Sequence, residues 1–87
     1  MSNAEQILID YHRARGDSRV MLRSEVVTRE GSLYLMRFYN PKGSCYSSLD
    51  KIDETGAVSE IARCHRLDDR KTIDSMIRRK SYETDGE

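Results

Sequence analysis

Apolar residues recur at steps of three and four between Ser2 and Arg15, at Ala4, Ile7, Leu8, Tyr11 and Ala14, and this spacing predicts an amphipathic helix. Ser2 with Glu5 fits a capping box at its start, and Gly16 suits the left-handed position that closes a helix. From Arg19 the period drops to two. Val20, Leu22, Val26 and Thr28 alternate with Met21, Arg23, Glu25, Val27 and Arg29, which predicts a strand. Glu30-Gly31 supplies a tight hairpin turn, and a second strand follows from Ser32 to Tyr39. Asn40-Pro41-Lys42-Gly43 is the next turn, and a third strand runs from Ser44 to about Ile52.

Past the turn at Asp53-Glu54-Thr55-Gly56, the stretch Ala57 to His65 reads as a fourth strand, with a short helix carrying Val58, Ile61 and Ala62 as the alternative. Asp68 or Asp69 can cap a last helix in which Ile73, Met76 and Ile77 form the buried stripe. Arg78, Arg79 and Lys80 would then complement the C-terminal end of its dipole, and Ser81 to Glu87 would fray. The expected architecture is α+β: an N-terminal helix, a three- or four-stranded antiparallel meander and a C-terminal helix, in one domain over residues 1–80 with a tail over 81–87.

The first hairpin departs from a simple half-buried sheet, because both of its faces are apolar. Pairing Arg29 with Ser32 brings Val26 to Leu35 and Leu22 to Tyr39 on one side, and Val27 to Tyr34, Glu25 to Met36 and Arg23 to Phe38 on the other. Either the two helices divide between the faces, or they share one face and Tyr34, Met36 and Phe38 await a partner. The second option predicts a protein-binding surface formed by Tyr34, Met36, Phe38 and Val27 and rimmed by Arg23 and Arg37, for another protein or a second copy of the chain.

Charge adds a competing reading. The 87 residues carry 15 basic and 15 acidic side chains, a balance that argues against a general polyanion binder. Most of the basic residues are nevertheless arginine, whose planar fork suits phosphate and stacks on bases. Arg13, Arg15 and Arg19 cluster at the end of the first helix, and Arg78, Arg79 and Lys80 near the end of the last. With Tyr34, Phe38 and Tyr39 on a neighbouring strand these clusters suit a regulator that holds single-stranded nucleic acid. Pairing of Arg70, Asp74 and Arg78 at four-residue spacing accounts for part of the same charge without a ligand.

Reactive side chains are few. Gly43-Ser44-Cys45-Tyr46 resembles the segment around the nucleophile of papain-like cysteine proteases. That cysteine opens a long helix, however, and its histidine lies more than about 100 residues downstream, whereas Cys45 follows a turn and sits in strand alternation. Cys45, Cys64, His65 and His12 are zinc-type ligands at the wrong spacing for a closed site. Lys51 to Ala62 has the outline of a calcium loop but has lysine and alanine where the first and last ligands belong. No catalytic residue, metal or cofactor is therefore assigned. Two cysteines and the absence of a leader or a long apolar run fit a soluble, non-membrane protein with reduced thiols in the cytoplasm. The sequence reads as a small non-enzymatic interaction or regulatory module, with nucleic-acid binding as the alternative.

Overall fold

The computed structural model describes residues 3–66 and 69–85, and the side chains of the last helix over 70–78. The elements are α1 (Asn3–Ala14), β1 (Ser18–Thr28), β2 (Gly31–Tyr39), β3 (Cys45–Ile52), β4 (Val58–His65) and α2 (Asp69–Asp85). The four strands form one antiparallel meander in the order β1-β2-β3-β4. The Ser2 and Asp68 caps lie outside the described residues.

The two later hairpins are closed by the same device. Asn40 Oδ1 accepts from the amides of Lys42 at 3.1 Å and Ser44 at 2.9 Å, and Asp53 Oδ1 accepts from those of Thr55 at 2.8 Å and Ala57 at 3.0 Å. Each loop ends in a glycine with positive φ, Gly43 at 86° and Gly56 at 88°. The Asp53 loop is thus satisfied by its own backbone, which accounts for its calcium-loop outline.

The first hairpin pairs in a different register from the expected one. Thr28 opposes Gly31 and Val26 opposes Leu33, two places from the predicted alignment. A step of two keeps each side chain on its face. Two irregularities then intervene in β1, between Leu22 and Ser24 and between Ser18 and Met21. Beyond the first, Leu22 opposes Met36 and lies on the face of β2 opposite to that of Val26. The expected grouping of Val20, Leu22 and Val26 on one face is therefore wrong, because a bulge inserts one residue and inverts the alternation.

Helices cover both sides of the sheet. Leu33, Leu35 and Leu49 pack with Met76 of α2, joined by Val26, Ile61, Ala62, Cys64, Ile73 and Ile77. On the other side Met36 and Phe38 pack with Leu8 of α1, joined by Ile9, Val20, Leu22, Tyr34, Tyr46, Ile52 and Val58. The central strands β2 and β3 are consequently buried almost continuously, as strands covered on both faces must be. This explains the two-sided hairpin. α2 continues to Asp85, so Arg78, Arg79 and Lys80 stand within it and its last turn holds no basic residue, contrary to the expected dipole pairing.

Candidate functional site

The stripe of α1 that meets the sheet is Leu8 and, one turn later, His12, both fully buried. The end of the helix sets what meets that histidine. Gly16 takes φ 92°, its amide bonds to the Arg13 carbonyl at 3.0 Å, and the Asp17 amide bonds to the His12 carbonyl at 3.1 Å. This Schellman closure folds Asp17 back over the last turn. Its carboxylate reaches His12 Nδ1 at 3.1 Å.

The opposite nitrogen is met from β3. Tyr46, Ser48 and Asp50 alternate onto the face under α1, and Asp50 Oδ2 lies 2.7 Å from His12 Nε2, with Ser48 Oγ at 3.4 Å. Phe38 stacks on the imidazole at 4.4 Å between centroids, and Tyr11 meets it edge-on at 5.1 Å. Asp50 and Ser48 are fully buried and Asp17 is nearly so.

Both ring nitrogens thus face carboxylate oxygens. A neutral imidazole has one N–H and can donate to only one of them, so two ionised carboxylates at these distances favour the imidazolium. Burial pushes the His12 pKa down, but the hydrogen bond and charge of Asp50, followed by those of Asp17, outweigh it and raise the value above 6.5.

A second ionic group adjoins the first. Arg63 of β4 lies over the rings of Phe38 at 5.2 Å and Tyr46 at 5.6 Å, and its guanidinium forks onto Glu60. Arg15 donates to Glu60 at 3.0 Å and to the Tyr11 hydroxyl at 2.8 Å. The hydrogen bond to Glu60, against the cost of burial, and the charges of Glu60 and Asp17 raise the Arg63 pKa further. Three cations (His12, Arg15, Arg63) and three carboxylates (Asp17, Asp50, Glu60) therefore balance along the joint between α1 and the sheet.

Serine, histidine and aspartate stand here in the order that serine activation requires, but the parts do not fit that chemistry. Nε2 is committed to Asp50 at the shorter distance and, as an imidazolium, cannot take the Ser48 proton. The group is suited to holding charge in place and to responding to protons.

The residues expected at a protein-binding face are dispersed. Met36 and Phe38 are sealed beneath α1, and Tyr34 is half-buried with them. Arg37 is nearly buried on the other face, opposite Ser47, while Val27 and Arg23 are exposed on β1. That surface does not exist as a unit, because the two helices divide between the faces. Arg13, Arg15 and Arg19 are exposed, with Arg19 over the Tyr39 ring at 5.3 Å. Arg78 is exposed on α2, and the side chains of Arg79 and Lys80 lie outside the described residues.

Cys45 is on the same side of β3 as Ser47 and Leu49, which α2 covers, and Cys64 packs in that core; His12 and His65 lie on the α1 side. The sheet separates thiols from imidazoles, no disulfide joins Cys45 to Cys64, and among the described residues no cluster of metal-ligand type occurs. His12 with Asp17 and Asp50 was the grouping that sequence reasoning missed. Its local signal was a histidine four residues after a core leucine, followed by Gly16-Asp17.

Comparison of the chain with known protein families, with curated proteins and with solved structures gave no match.

Proposed function

We propose that the protein is a small non-enzymatic interaction module that acts by pairing along β1, and that its occupant is a second copy of the chain. The observation that carries this is the position of the exposed apolar residues. Val27 is 78% exposed and Met21 43% exposed, and both lie on an end strand of the sheet. An end strand presents unpaired backbone groups to any extended segment that can align with it.

Charges at the end of β1 and in the turn that follows it favour self-pairing in one register. Two copies aligned antiparallel about Val27 place each Val27 against its counterpart and each Glu25 beside Arg29, the first turn residue after β1 of the other copy. Two-fold symmetry repeats that ion pair. Opposite-charge cross-strand pairs contribute roughly 0.2–1 kcal/mol each. Ser24 to Thr28 pair regularly with β2, so no bulge interrupts this part of the strand.

Sedimentation equilibrium tests the reading. The expected result is a reversible dimer that Val27→Lys and Glu25→Arg each weaken, with Glu25→Arg and Arg29→Glu together restoring it. A chain that stays monomeric up to about 1 mM, the weak end of specific association, overturns it.

One observation supports a second reading, nucleic-acid binding at the α1 end. Arg19 holds φ 51°, an unusual conformation for a residue with a side chain, and its guanidinium lies over Tyr39, with Arg13 and Arg15 also exposed at the end of α1. Binding of a single-stranded oligonucleotide that weakens with salt and is lost in Arg19→Ala supports it; the absence of such binding at low ionic strength rejects it.

A further inference from the structure

We propose that the His12 bridge is a proton-operated latch: with the imidazole protonated α1 is clamped over Met36 and Phe38, and loss of that proton releases the helix and bares this apolar face. The inference stands apart from pairing along β1, because it concerns the seam beneath α1 rather than the free edge of the strand and needs no partner.

The anchoring of α1 is narrow. Its two fully buried side chains are Leu8 and His12, so half of its deepest contact with the sheet is ionic. The groups facing the imidazole come from every element around it. Asp17 comes from the connection to β1, Asp50 and Ser48 from β3, and Arg63 and Glu60 from β4, with the His65 ring tilted against that of Tyr46. Tyr11 and Arg15 come from α1 itself, while β2 contributes Phe38 and β1 contributes Val20 and Leu22.

Removing the proton leaves one N–H between two carboxylates. One ring nitrogen then turns a lone pair toward an oxygen 3.1 or 2.7 Å away, and one buried carboxylate loses its donor. Arg63 is held on Glu60 through Nε and Nη2, so its nearest carboxylate is Glu60 and the bridge to Asp50 is made by His12. A buried charge without a partner is costly enough to favour hydration, and hydration of Asp50 requires α1 to lift. The meander stays folded meanwhile, since α2 packs on its other face. The turn at Gly16 is the pivot.

Amide hydrogen exchange and the His12 ring resonance, followed together by NMR on the whole chain from about pH 6 to about pH 9, test this around the ordinary imidazole range. The expected result is a ring that titrates above 6.5, with protection at Leu8 to His12, corrected for intrinsic exchange, falling about tenfold at the same midpoint while β2 and β3 stay protected. Asp50→Asn should move that midpoint to lower pH; Asp17→Asn, at the rim, serves the same purpose should the first variant not fold. The proposal is overturned by α1 protection that does not follow the ring, by a ring that fails to titrate within the range, or by a midpoint that neither variant shifts, as a purely structural role would give.

Discussion

Under α2 the sheet presents Leu33, Leu35 and Leu49 to Met76, whereas under α1 it presents Met36 and Phe38 to Leu8 and, one helical turn on, Asp50 and Ser48 to His12. The first joint depends on apolar area, which is indifferent to pH and tolerant of rearrangement. The second depends on the pairing of buried charges, which is favourable only while every partner is present. Covering both faces lets one thin sheet carry two small cores, and beside the one under α1 lie the buried His12 pairs.

The largest expected effect is that of Phe38→Ala, which removes a buried aromatic and the surface on which His12 stacks. A loss of about 3–5 kcal/mol in denaturant unfolding is expected. A loss under about 1 kcal/mol would mean that α1 is hardly docked, and the contrast between the faces would fall.

Next comes Asp50→Leu, which leaves His12 facing an apolar side chain and is expected to cost about 3–5 kcal/mol. Combining it with His12→Leu should recover part of that loss, because no unpaired charge then remains buried. Additive losses in the double variant would show that the ionic joint is ordinary packing.

Changing pH perturbs the same joint more gently. The folded pKa of His12 is raised above 6.5, so its contribution is complete below 6.5 and is lost as pH rises through the folded value. Burial pushes Glu60 up, but Arg63 and Arg15 bring it below 4.5, so its contribution is present above 4.5 and is lost as pH falls through the folded value. Stability measured by urea unfolding should therefore peak between these limits. Met76→Ala should lower the whole curve without changing its shape, since the cluster in which Met76 packs is, among the described residues, apolar. A change of shape in that variant would break the comparison.

The smallest expected effect is that of Gly16→Ala. The left-handed φ of 92° costs a residue with a side chain about 1–2 kcal/mol. The added Cβ also comes within 3.3 Å of Pro41 Cγ. The cost should shrink once Asp17→Asn has weakened the bridge that the turn positions, and thermal unfolding of the two single variants and the double variant would show it.

Local chemistry decided much of this protein before any folding was considered. Periods of 3.6 and 2 located both helices and the first three strands and favoured a strand over a helix for the fourth, and Gly16, Asn40-Pro41-Lys42-Gly43 and Asp53-Glu54-Thr55-Gly56 marked their ends, because caps and turns are satisfied within a few residues. Even the doubly apolar hairpin was legible, though not which face each helix would take. Tertiary structure alone decided that α1 would cover Met36 and Phe38, because helix docking depends on the connection lengths and on the strand twist rather than on any one residue. It also decided the faces of β1, where a bulge of one residue inverts an alternation that the sequence carries unchanged. The His12 bridge belongs to both levels: Asp17 is brought by a local helix closure five residues away, and Asp50 by a strand 38 residues away, whose approach only the finished sheet determines.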